Sequence, residues 1–172
     1  KDFSSYTGIF ESIFQHFNRK IRILDYGANW GYSCYQFAKL EFVEKAYGYE
    51  LSIPRRLFGE QNLGVQYIQD ASELEGSIDV LFSSHVIEHM SDPSILKNYA
   101  DMVLKNGGII LLTCPNGSDS GRVHNTHWSK LWGEVHPNFI SDQYLCKLFS
   151  DYSGIVGGNS FVSSRKVLGF NF

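Results

Sequence analysis

Five short apolar runs alternate with stretches of helical spacing, and this alternation constrains the fold more than any other feature. The runs are IRILD (21–25), KAYGYE (45–50), VQYIQD (65–70), SIDVLFSSH (77–85) and IILLTCP (109–115). Strands that alternate with helices pair in parallel and are covered on both faces, so a doubly wound α/β sheet with right-handed crossovers is expected. Ahead of the first strand, in the leading segment 1–20, Ile9, Phe10, Ile13, Phe14 and Phe17 recur at helical spacing. GYSCYQFAKLE and SIPRRLFGEQNL read as crossover helices, the second entered through Pro54. In DPSILKNYADMVL, Asp92 is a candidate N-cap and Pro93 the first helical residue, and Asn106-Gly107-Gly108 then turns the chain into the fifth strand. After Pro115 the period breaks, and residues 114–140 read as a lid-like insertion. SDQYLCKLFSDY returns to helix, and YSGIVGGNSFVSSRKVLGF reads as two strands joined by a Gly-Gly-Asn turn. The expected whole is one domain over 1–172, a mostly parallel seven-stranded sheet ending in an antiparallel hairpin.

In an open parallel sheet a ligand lies at the carboxyl ends of the strands. The tips there are Asp25–Gly31, Glu50, Asp70, Ser83–His85 and Thr113–Asn116. An acidic residue at Glu50 is placed to accept from two ribose hydroxyls, which dinucleotides and adenosyl sulfonium cofactors share. The glycine turn discriminates better. A dinucleotide fingerprint needs G-x-G-x-x-G, whereas Gly27-Ala28-Asn29-Trp30-Gly31 carries Asn29 in the place of the second glycine and bulky Trp30 after it. A pyrophosphate would be crowded there and would meet the charge of Asp25. No G-K-[ST] run exists to form a phosphate loop. A phosphate-free cofactor with a cationic amino-acid end, S-adenosylmethionine, suits the turn better. Two other classes remain: a nicotinamide-dependent (NAD) oxidoreductase, and a non-catalytic cofactor-binding or interaction domain.

Composition narrows the partners. A net charge of −3 and the absence of any Lys/Arg-rich run disfavour nucleic acid. The three cysteines form no C-x-x-C pair, so neither a zinc signature nor a disulfide framework is visible, and a reduced cytoplasmic chain is expected. No stretch is apolar and long enough to span a membrane, and no signal peptide is visible.

Five motifs in order give the chain a family resemblance. ILDYGANWG is similar to motif I of the class I S-adenosylmethionine-dependent methyltransferases, roughly hhDhGxGxG. AYGYELS and VQYIQDASEL resemble their second and third motifs. IDVLFSSHVIEHMSDP resembles the EH-x-x-DP stretch of the small-molecule branch, and VLKNGGIILLTCPN the stretch that follows it. The resemblance covers about Ile21 to Asn116, and GEVHPNFISDQYLCKLF resembles the later part of the same branch. It implies that Asp25, Gly27, Ala28, Asn29 and Gly31 surround the methionine end of the cofactor and that Glu50 holds the ribose. Leu51, Asp70 and Ala71 would meet the adenine, and Ser84 and His85 would wall the pocket at the tip of the fourth strand. Simpler roles stand beside these: Asp25 and Asp70 as caps, Leu51 as a buried apolar residue.

The implied reaction is methyl transfer to a small-molecule acceptor, leaving S-adenosylhomocysteine. No N/D-P-P-[YF] run follows the fourth strand, which favours a hydroxyl or an activated carbon over an exocyclic amine. His85 is a candidate general base. In the insertion, which carries His124, His127, Trp128 and Trp132, His136 is a second candidate. The run His85-x-x-Glu88-His89 invites a metal reading, but sequence supplies no further ligand, and no metal is expected.

Overall fold

The computed structural model describes residues 2–134 and 136–154. Five strands, β1 (Ile21–Tyr26), β2 (Val43–Tyr49), β3 (Gln66–Tyr67), β4 (Ile78–Ser84) and β5 (Leu104–Thr113), form one sheet in the order β3-β2-β1-β4-β5. The helices are α1 (Thr7–Phe17), α2 (Tyr32–Phe37), α3 (Ile53–Phe58), α4 (Ser94–Val103), α5 (Asp119–His124) and α6 (Asp142–Leu148). The chain divides into two compact units. One holds Lys1–Ser84 and Asn98–Leu112; the other holds His85–Lys97 and continues from Thr113. The hairpin expected in the tail, and with it the sixth and seventh strands, lies outside the described residues.

In the first unit β1 pairs in parallel with both β2 and β4, and β2 with β3. Its central place follows from composition: Ile21, Ile23 and Leu24 of β1 and Ile78, Val80, Leu81 and Phe82 of β4 are completely buried. Phe10 of α1 meets Phe37 of α2 edge-on at 4.6 Å between centroids, and Phe37 meets Phe82 at 5.3 Å. Helix α1 ends at Asn18, whose left-handed backbone (φ 50°) returns its N–H to the Phe14 carbonyl.

At the end of the sheet where β1 and β4 begin, Asp79 is fully buried and accepts from Arg19 (2.5 Å), the Arg22 amide (2.8 Å) and Lys105 (3.0 Å). Burial alone would raise its carboxyl. The hydrogen bonds from Arg19, the Arg22 amide and Lys105 outweigh that and hold it below the ordinary value.

The structure shifts several expected bounds. Strand β2 begins at Val43 and ends at Tyr49, leaving Glu50 beyond the ladder. Only Gln66 and Tyr67 of the expected third strand pair, because the Gln69 and Asp70 amides both donate to the Glu73 side chain (2.7 and 2.9 Å). Helix α3 stops at Phe58 and continues as a π-helical turn, Gly59–Leu63. The Asn106-Gly107-Gly108 bend lies inside β5: Gly107 has φ +76°, and a Cβ on Gly108 would stand 2.9 Å from the Lys105 carbonyl.

The second unit contains the 3-10 turn Ile87–His89, the first turn of α4, α5, a 3-10 turn at Trp128–Leu131, and α6. Asp92 accepts the Ser94 amide at 2.9 Å, but α4 begins at Ser94, so Pro93 stands just before the helix rather than at its first position. The insertion folds on itself: Phe139 stacks on Trp132 at 4.7 Å and lies 5.2 Å from Trp128, and Gly117 donates to the Ile140 carbonyl. Among the described residues no helix is long and apolar enough to cross a membrane.

Candidate functional site

Register aligns the strand tips of the first unit. Asp25 lies level with Gly48 of β2 and Phe82 of β4, and Tyr67 of β3 is level with Gly48. The turn after β1 therefore emerges beside the end of β2, and the Gly27 and Ala28 amides both donate to the Tyr49 carbonyl (2.8 and 2.9 Å). Gly27, Asn29 and Gly31 all have left-handed backbones, with φ of 85°, 54° and 83°. Asparagine tolerates that region better than most residues. Asn29 thus takes the left-handed conformation a glycine there would allow.

Glu50 is fixed by the two loops it joins. Its Oε2 accepts the Asn29 amide at 3.0 Å and its Oε1 the Ser52 amide at 2.8 Å. A carboxylate has about four acceptor sites, so each oxygen keeps capacity for one more donor. A vicinal diol is the complementary partner. Leu51 follows immediately and is 80% exposed. The simpler reading of Leu51 as a buried apolar residue is therefore wrong.

Asp25 is buried and accepts the Ser33 hydroxyl. Its charge, after burial itself, pushes the neighbouring Cys34 thiol well up. Asp70 caps the 3-10 turn Ala71–Leu74: Oδ1 accepts the Ser72 amide and hydroxyl (2.7 and 2.6 Å), which lower its carboxyl, while Glu73 closes the reciprocal half of the capping box. Ala71 is buried, and Ser84, the last residue of β4, is half-buried.

Sequence reasoning missed Tyr67. Its hydroxyl donates to the Asn29 carbonyl at 3.0 Å. Its ring fills space that side chains at three glycines would need: a Cβ on Gly31 would lie 2.6 Å from its hydroxyl, one on Gly48 2.8 Å from its ring, and Gly59 is closed in the same way. Burial raises its phenol strongly, so it stays a donor. Tyr67→Phe is expected to lower unfolding free energy by about 1 kcal/mol, the net worth of one hydrogen bond, in urea titrations. An unchanged midpoint would mean that the bond adds nothing to the loop.

In the second unit, His85 follows β4 with φ 58° and donates its own amide to the Thr113 carbonyl at 2.8 Å. Its Nδ1 lies 3.2 Å from Oε1 of Glu88, whose side chain is completely buried. A carboxylate only accepts, so in the neutral ring Nδ1 carries the proton and Nε2 the lone pair. Burial, then the Glu88 charge, pushes the Cys114 thiol up to about 12. The structure also brings His136 beside Glu88 and His89, a grouping that no local pattern in the sequence signals.

The methyltransferase-domain family matches residues 2–152, and the chain belongs to it. No curated protein matches the sequence. Among solved structures it is similar to a chain of the complex between the Haloferax volcanii Trm112 methyltransferase activator and a methyltransferase (TM-score 0.61, 16% identity, 77% of this chain and 61% of that one). It is likewise similar to YcgJ of Bacillus subtilis (TM-score 0.62, 22% identity, 77% and 61%) and to a SAM-dependent methyltransferase of Archaeoglobus fulgidus (TM-score 0.62, 17% identity, 86% and 67%). The chain thus spans about three fifths of the length of the first two. These likenesses show the Rossmann-like methyltransferase fold.

Proposed function

We propose that this chain binds S-adenosylmethionine and transfers its methyl group to a small-molecule acceptor, at a hydroxyl or an activated carbon. The observation that carries the reading is Glu50: a carboxylate oriented by the Asn29 and Ser52 amides, with capacity for two hydroxyl donors, next to an exposed leucine. Two carboxylates at the glycine turn, Asp25 and Glu50, oppose a pyrophosphate and suit a cationic ligand. Bound S-adenosylmethionine supplies an electrophilic methyl group on a sulfonium. The chain's residues then have positioning tasks. Asp25, Gly27, Ala28, Asn29 and Gly31 receive the amino-acid end, Glu50 the ribose, and Leu51, Asp70 and Ala71 the adenine, with Ser84 at the strand tip. For a hydroxyl acceptor a base is required. His85 fits that role, since Glu88 holds its Nδ1–H and leaves Nε2 to take the proton. His136 is the second candidate, through Nε2. The same reading takes 1–172 as one domain, with 114–140 supplying acceptor contacts.

Calorimetric titration tests it, with S-adenosylmethionine and S-adenosylhomocysteine as ligands and NADH as control. Saturable binding of both adenosyl ligands and none of NADH is expected. Leu51→Asp, at a position exposed enough to leave folding intact, is expected to weaken them about tenfold or more, the worth of one apolar side chain against the adenine. NADH binding, or no binding of either adenosyl ligand, would overturn the reading.

A further inference from the structure

We propose that Glu88, His89 and His136 form a binding site for one divalent transition-metal ion, zinc by preference, with an open coordination position. The inference concerns the second unit alone and does not depend on the cofactor reading. Each residue offers one ligand atom, and these atoms all lie within 4.8 Å of one another. Bonds of about 2 Å to a common ion would put them roughly 3–3.5 Å apart, so small side-chain rotations close the site.

Three further observations point to a cation. The Glu88 side chain is completely buried, and while Oε1 meets His85, Oε2 has neither solvent nor a hydrogen-bond partner. A buried carboxylate oxygen without a donor is costly, and a metal ion removes that cost. The His136 ring is set in the ligating tautomer. Its Nδ1 bonds the Leu131 carbonyl, which can only accept, so in the neutral ring Nδ1 holds the proton and Nε2 the lone pair; a bound metal would occupy that lone pair and leave His85 as the general-base candidate. A carbonyl behind a ligand imidazole is a common outer-sphere support in metal sites. Finally, the two segments are stitched together. The Asn138 amide donates to the Glu88 carbonyl at 3.4 Å and its side-chain Nδ2 to the Met90 carbonyl; within the second segment, Gly133 and His136 exchange backbone bonds of 3.3 and 3.1 Å that close the turn carrying His136. The His89 and His136 rings are 4.4 Å apart as a result.

Two imidazoles and one carboxylate select zinc, cobalt, iron or manganese over magnesium or calcium, which prefer all-oxygen shells. Three protein ligands leave a position for water or an oxygen atom of a ligand. The competing account is a metal-free cluster in which a histidinium pairs with Glu88.

The test uses the untagged chain of residues 1–172 stripped with a chelator, then titrated with zinc and, as a spectroscopic probe, cobalt. One zinc per chain retained through gel filtration is expected, together with a visible cobalt d–d band. His89→Ala and His136→Ala are each expected to lower zinc affinity at least tenfold, and Glu88→Gln likewise, with circular dichroism confirming the fold. His89 is exposed, so its variant keeps the test valid if Glu88→Gln fails to fold. Failure of the parent chain to bind zinc or cobalt stoichiometrically, or unchanged zinc affinity in folded His89→Ala or His136→Ala, would overturn the proposal in favour of the metal-free cluster.

Discussion

Glu50→Ala is expected to weaken S-adenosylhomocysteine binding by about 100-fold or more, to the point of loss in a calorimetric titration. Two effects add. The ribose hydroxyls lose an anionic acceptor, and each charge-assisted hydrogen bond is worth roughly 1.5–3 kcal/mol. The Asn29 and Ser52 amides also lose the group that orients them, which loosens the glycine turn around any ligand. Glu50→Gln separates the two, because its amide retains one acceptor oxygen but turns a donor toward a backbone N–H. An intermediate affinity is expected. If both variants bind as the parent chain does, the ribose is held elsewhere and the assignment of this carboxylate is wrong.

Asp79→Ala is expected to cost about 1–3 kcal/mol of folding stability at neutral pH, because it removes the acceptor of the Arg22 amide and of two cations, Arg19 and Lys105, that water still reaches. The pH dependence has a definite sign. Asp79's carboxyl titrates lower in the folded chain than in the unfolded one. Its contribution is therefore complete above the unfolded value of about 3.9 and fades as pH falls through the lower folded value. Urea unfolding of parent and variant should show a wide gap at neutral pH that narrows toward about pH 3. A gap of constant width would show that lost packing, rather than charge, sets the cost.

Much of the fold was legible because its signals are local. Short buried apolar runs such as Ile23-Leu24 and Val80-Leu81-Phe82, alternating with helices, signal a parallel sheet, and the structure adds their order around β1. The strand-tip acids Asp25 and Glu50 were legible for the same reason. The third strand was overcalled, because after Ile68, whose amide still bonds the Gly48 carbonyl, the Gln69 and Asp70 amides go to the side chain of Glu73, a residue beyond the run. Tyr67 was missed because its task is defined by three glycines 8 to 36 residues away along the chain, visible only once β2, β3 and α2 are assembled. The meeting of His136 with Glu88 and His89 was hidden for the same reason: a span of irregular chain carries no period that says where it returns. Sequence spacing placed two of the three ligands on one turn and left the third in a loop.

Asn29 bears on how such loops tolerate change. The turn is a path of backbone angles, and the letters are only the means of following it. Glycine follows it at no steric cost; asparagine follows it at a small one and brings a side chain to the rim of the loop. Drift at this position is thus restricted to residues at ease in the same mirror-handed region. A search pattern that insists on glycine there would discard a chain whose main chain runs as the pattern intends, whereas one written in dihedral angles would keep it.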